Sequence, residues 1–219
     1  MPLTSFRRIV FAAAASGLIA GLALTALQQL QVVPLIRAAE AFEAAHDAGA
    51  PSIFATATAN VVLATAFALF LGAAIALRPR TDWRAGLLWG AAGYVVFFVA
   101  PAIGLPPELP GTEAAALHER QLWWAATVAC SAPGLWLVVF ARSAALRFAG
   151  ILLLVAPHAV GAPHLTLHQA SAPADLAADF ARATYVANAV FWLALGALAG
   201  FFNRDPEPAR RSRSAAPAP

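Results

Sequence analysis

The sequence predicts an all-α integral membrane protein of about six transmembrane helices arranged as three hairpins. Three observations carry that expectation. Of 219 residues, 61% are apolar and only 11% charged, against about 25% charged in ordinary soluble proteins. Uncharged runs approaching the roughly 20 helical residues that a bilayer core of about 30 Å demands recur six times along the chain. The arginines, finally, sort to one side of those runs.

The first run, Ile9 to Ile36, follows Arg7 and Arg8. It reads as a retained anchor, because it exceeds a usual signal core and no small-x-small cleavage site closes it. The second spans Phe54 to Leu77 and stops at Arg78, and the third spans Ala85 to Leu105 and stops at Pro106 and Pro107. The fourth, Leu122 to Ala141, lies between Arg120 and Arg142. The fifth, Phe148 to Pro163, is short and interrupted by Pro157, Gly161 and Pro163, and the sixth runs from Ala181 to Phe202. Residues 1–203 thus form one membrane domain. The remainder, 204–219, is rich in proline, alanine, serine and arginine and reads as a disordered cytoplasmic tail.

Lysine is absent, so all 14 basic residues are arginine. With the N-terminus inside, eleven fall in cytoplasmic segments and only Arg37, Arg120 and Arg182 fall outside, a strong positive-inside pattern. The acids distribute in reverse, eight outside and three inside. Eleven arginines against three acids leave +8 inside, and three against eight leave −5 outside, together the +3 of the whole chain. Both termini are therefore expected in the cytoplasm. A basic chain often signals nucleic acid, but this charge is accounted for by topology, and no nucleic-acid partner is expected.

The three hairpins resemble copies of one unit. Val32-Val33-Pro34, Val99-Ala100-Pro101 and Val155-Ala156-Pro157 close the odd spans, and the even spans carry Thr56 with Asn60, Thr127 with Ser131, and Thr184 with Asn188. A membrane proline frees backbone carbonyls, which persist only when buried in protein or facing a watery cavity. The prolines are expected to break the spans around a shared outer vestibule, with the threonine, serine and asparagine pairs lining a path. The competing reading is that these groups hydrogen-bond between packed helices.

All five histidines lie in outer loops or at the outer end of the fifth span, among acids. Glu40, Glu43 and His46 recur every three residues, and Glu108, Glu113, His118 and Glu119 cluster in the second outer loop. His164 and His168 stand at i and i+4, a spacing that lets two imidazoles share a metal on a helix, and His158 precedes them. Imidazole and carboxylate with almost no sulfur suit borderline divalent ions such as cobalt, nickel or zinc better than copper(I). A negative outer face would also concentrate cations. Solvated histidines in polar loops are the plainer alternative. The expected metal set is His158, His164, His168, Glu108, Glu119, His118, His46 and Glu43. A titratable group beside a short, proline-interrupted segment makes His158 the sharpest member.

Enzymatic readings find little support: the chain has no G-x-x-x-x-G-K-[ST], no H-E-x-x-H and no credible catalytic serine or cysteine arrangement. No cofactor is expected. Lone Cys130 reads as packing. The remaining alternatives are a membrane scaffold that recruits a partner through its outer acids and histidines, and a transporter of nickel or of an organic solute.

Pro106-Pro107-Glu108-Leu109-Pro110-Gly111, followed by Leu117, Arg120-Gln121 and Trp123-Trp124, resembles the signature of the CbtA family of predicted cobalt transporters. Pro34-Leu35-Ile36 with Ala39-Glu40 and Glu43, and Pro157-His158 with Gly161-Ala162-Pro163, resemble it too. The resemblance implies an inner-membrane permease-like protein carrying cobalt(II) as cargo. It also implies a small, single-helix, histidine-bearing partner of the CbtB type, besides membrane lipid, and is compatible with an oligomer. Descriptions of that family count five spans, whereas the arginine distribution calls for six.

Overall fold

The computed structural model describes residues 3–42, 52–76, 82–164 and 172–204. All regular structure among the described residues is helical. The elements are α1 (Leu3–Leu27), a π-helical turn (Gln28–Val32), α2 (Val33–Glu40), α3 (Ile53–Ala76), α4 (Trp83–Tyr94), a second π turn (Val95–Val99), α5 (Ala100–Gly104), α6 (Leu117–Phe140), α7 (Ala144–Val160) and α8 (Ala174–Phe202). Because α1 runs through its π turn into α2, and α4 through its own into α5, each makes a single rod. Five rods are long and apolar enough to cross a membrane: Phe6–Glu40, Ile53–Ala76, Trp83–Gly104, Leu117–Phe140 and Ala174–Phe202.

The sixth apolar helix is α7, with 17 residues. Three residues separate it from the end of α6; it packs along α6 and brings His158 in its last turn beside Trp123. It therefore covers the same thickness as the stretch of α6 from Trp123 to Phe140. It is thus a sixth apolar helix, shorter than the other five.

The prolines bend the hydrogen-bond ladder without breaking the rods, which corrects the expectation of interrupted spans. Pro34 cannot donate to the Leu30 carbonyl, and Pro101 cannot donate to that of Phe97. In both rods the turn just before the proline widens: the N–H of Val33 reaches the Gln28 carbonyl, and the N–H of Ala100 reaches that of Val95. A π turn thus absorbs the misfit locally. Pro157 sits inside α7, which continues to Val160 before Gly161 turns the chain with φ +87°.

Packing pairs the rods differently from their order in sequence. The most extensive contacts join α1 with α3, α4 with α8, and α6 with α7. The first expected hairpin is thus a packed pair, whereas the third span packs on the sixth and the fourth on the fifth. Small residues decide this, since without a hydrophobic force between helices in lipid, close backbone approach is what holds them. A Cβ on Gly90 would stand 2.3 Å from the Trp192 carbonyl oxygen, and one on Gly200 would stand 2.4 Å from that of Asp82. Gly134 and Gly150 meet the same way between α6 and α7, and Gly17 and Gly21 lie on the backbone of Thr65 and Val61 in α3.

The core lies among α1, α3 and α8, where Ala13, Ala20, Leu24, Ala64, Ala68, Phe191, Trp192 and Leu195 are buried, with Trp89 and Phe97 of the third rod packed against them. The α6–α7 pair flanks this core, joined to it through α5 and the second π turn. Its outward residues, among them Phe148, Ile151, Leu152 and Val155, are exposed as a lipid-facing surface requires.

Two ends of the bundle are defined by contacts. At one, Gly72 lies against Ile9 and Asn203, and Gly200 against Asp82. At the other, Ala39, Leu109 and Phe180 form a buried cluster. Both ends of the described chain thus share the first, arginine-rich end, and the second carries the acids Glu40, Glu108, Glu113, Glu119, Asp175 and Asp179.

Candidate functional site

The acidic end is closed by the segment between α5 and α6. Leu109 is 3% exposed, packed into the cluster with Ala39 and Phe180 and bordered by Leu35, Ile36 and Leu176. Gly111 adopts φ +79°, and the Thr112 N–H donates to the Leu109 carbonyl at 3.3 Å, which closes a tight turn. Anchored by its leucine, this turn holds Glu108 against α6, where its carboxylate pairs with Arg120 at 3.5 Å. Glu108 is half-buried, whereas Glu113, His118 and Glu119 are exposed.

His158 occupies a wedge between α5, α6 and α7. The Trp123 indole lies over Gly104, where any side chain would collide with it and with Ala162. It stands edge to face with the half-buried His158 ring, centroids 5.9 Å apart. Trp123 is 8% exposed, and its buried Nε1 finds no hydrogen-bond partner among the described residues. The contact sets a half-buried imidazole against a ring whose own donor is unpartnered among the described residues.

His164 follows Pro163 and is exposed. Glu43, His46 and His168 lie outside the described residues. Among the described residues, no three His, Cys, Asp or Glu side chains are grouped to hold a metal ion. The geometry thus brings Glu108 to Arg120 and His158 to Trp123, and leaves His118 and Glu119 on the surface of the first turn of α6.

The polar pairs of the even spans lie on α6, α3 and α8. Thr127 is fully buried and donates to the Trp123 carbonyl at 2.9 Å, and Ser131 is equally buried. Both share the face of α6 on which Gly134 meets Gly150 of α7. On α3, Thr56 is half-buried, and Asn60 donates from Nδ2 to Thr25 Oγ1 at 3.0 Å and to Gln28 Oε1 at 2.7 Å. On α8, Asn188 donates to the Thr184 carbonyl at 3.0 Å, while the buried Thr184 Oγ1 has no partner among the described residues.

The carbonyls near the proline of the second π turn are met by aromatic side chains. Trp124 Nε1 donates to the Phe97 carbonyl at 3.3 Å, the group that Pro101 leaves without its helical partner. The Tyr185 hydroxyl reaches the Ala102 carbonyl at 3.5 Å. Neighbouring helices therefore satisfy these groups, as protein-buried irregular backbone in a membrane requires.

Sequence reasoning missed Thr25 and Gln28. A signal was present, because three glutamines within four positions of an apolar run are costly in a bilayer.

Five helices long and apolar enough to cross a membrane, a shorter sixth, small-residue packing and segregated end charges define a polytopic α-helical membrane protein. The family model for CbtA, probable cobalt transporter subunit, matches residues 6–204. The chain belongs to that family, described as probable cobalt transporter subunits. No curated protein and no solved structure matches it.

Proposed function

We propose that this chain is the permease component of an uptake system for a divalent transition metal, cobalt(II), in the bacterial inner membrane. The acidic end faces outward and the arginine end, with both termini, faces the cytoplasm, as the positive-inside rule requires. His158 is the first-contact ligand, assisted by His164 and His168, with Glu108, Glu119, His118, Glu43 and His46 gathering cations around it. Thr56, Asn60, Thr127, Ser131, Thr184 and Asn188 are the candidates for a path inward, and a single-helix, histidine-bearing protein of the CbtB type is the partner.

The family match over nearly the whole chain carries this reading. The wedge at His158 supports it, since an imidazole beside an orphan donor at membrane depth is a costly arrangement for packing alone. The test is radioactive cobalt uptake into metal-starved cells expressing the chain alone and with a single-helix partner, with nickel and zinc as competitors. Uptake above the vector level that cobalt suppresses better than its rivals is expected. No uptake in either case, with the protein present in the membrane, would favour a scaffold or another solute.

A further inference from the structure

The first π turn gathers polar groups that its surroundings do not explain. Gln28 opens the turn and is followed within it by Gln29 and Gln31, in a rod whose remaining length is mostly apolar. Asn60 spends both amide hydrogens, one on Thr25 Oγ1 and one on Gln28 Oε1, and Thr25 in turn donates to the Gly21 carbonyl at 2.9 Å. With its two donors fixed, the Asn60 amide is locked in orientation, and its carbonyl Oδ1 is presented as an acceptor of fixed direction.

A second oxygen lies at the same level. The π turn packs against α8, which runs antiparallel to α1. Val32, Leu35 and Ile36 pack into the cluster that contains Phe180, while Leu24 shares a cluster with Ala187. Gln28, one turn deeper than Val32, is therefore level with Thr184, one turn deeper than Phe180. Thr184 lies on the helical face of Phe180 and Ala187, and its hydroxyl is the buried one without a partner among the described residues.

We propose that Asn60 and Thr184, with Gln28 and Thr25 orienting the Asn60 amide, form an intramembrane station for the divalent cation in transit. This inference rests on the uptake reading above. The chemistry suits a stop on a path: amide and hydroxyl oxygens ligate a cation or accept hydrogen bonds from its retained waters, yet carry no charge that would hold it. A conducting site must be favourable enough to enter and weak enough to leave. A carboxylate here would bind more tightly and release more slowly.

The experiment measures initial cobalt uptake against concentration, normalised to membrane abundance by immunoblot, for wild type, Asn60→Leu, Asn60→Asp and Thr184→Val. Asn60→Leu is expected to lower the maximal rate about tenfold while the half-saturating concentration, set by capture at the acidic end, stays within about twofold. Asn60→Asp should lower both the maximal rate and the half-saturating concentration. Thr184→Val keeps the shape and removes only the orphan oxygen, so it should fold normally and lose about threefold or more in maximal rate.

Uptake per molecule within twofold of wild type for Asn60→Leu and Thr184→Val overturns the station and leaves the uptake reading standing. If Asn60→Leu does not accumulate, the decision passes to the other two variants, and wild-type kinetics in both overturns it. Absence of uptake by the wild type removes the uptake reading, and the station with it.

Discussion

Gly86 and Gly196 occupy each other's side-chain space. A Cβ on Gly86 would stand 2.2 Å from the Gly196 carbonyl oxygen, and one on Gly196 would stand 2.3 Å from that of Gly86. The contact joins α4 to α8, elements separated by about half the chain, and lets Trp192 pack between Phe67 and Phe97, with centroids at 4.6 and 5.4 Å. Two glycines thereby place the third rod in the core beside the sixth.

Replacement of Gly86 by leucine should therefore separate α4 from α8. The obstructing atoms are backbone, so relief requires moving a rod, and the cost should reach at least about 3 kcal/mol, the upper range for overpacking. Gly72→Ala is the matched control, because its new Cβ would meet only the Ile9 and Asn203 side chains, at 3.3 and 3.7 Å. Thermal unfolding in detergent should show a large loss for Gly86→Leu and little change for Gly72→Ala. Equal midpoints would refute the backbone contact.

The six rods were legible because a bilayer imposes length and hydropathy on each separately. Their partners were not, since apolar surfaces look alike to lipid and the choice lies in glycine spacing, Gly86 and Gly90 against Gly196 and Gly200. At the site, His158 was legible from its place after Pro157, but its contact with Trp123 joins residues far apart in sequence. Asn60 was legible as half of a helical pair. Its partner Gln28 was not, because a π turn alters the helical phase and hides which face the glutamine takes.

The ion pair of Glu108 and Arg120 is partly solvated, with side chains 27% and 33% exposed and the charges 3.5 Å apart. Such a pair contributes about 0.5 kcal/mol, and the buried Leu109 carries most of the hold on the turn. Glu108→Gln should leave the thermal midpoint nearly unchanged, whereas Leu109→Ala should lower stability by about 2 kcal/mol. A larger loss for Glu108→Gln than for Leu109→Ala would reverse that assignment.

Topology provides an independent check on the crossing count. The contacts that place Asn203 beside Gly72 put the end of α8 at the same face as the start of α1. A reporter fused after Phe202 should therefore register the cytoplasm, together with one fused after Ala141, while a reporter in the turn at Gly111 should register the opposite side. An outward signal after Phe202 with an inward one after Ala141 would mean that α7 does not cross, and would leave five spans.

Replacing His158 by alanine tests the wedge directly. The imidazole sits in the last turn of α7, where the helix C-terminus favours a cation, and is held edge to face by Trp123. If it captures cobalt, its loss should raise the half-saturating concentration about tenfold and leave the maximal rate nearly intact, because steps deeper in the membrane are untouched. Trp123→Phe keeps an aromatic ring against His158 and removes only the orphan N–H, so it should produce a smaller rise in the same direction. Uptake by His158→Ala that follows the wild-type curve at limiting cobalt, with equal membrane abundance, would exclude this histidine as a ligand and shift capture to the exposed acids.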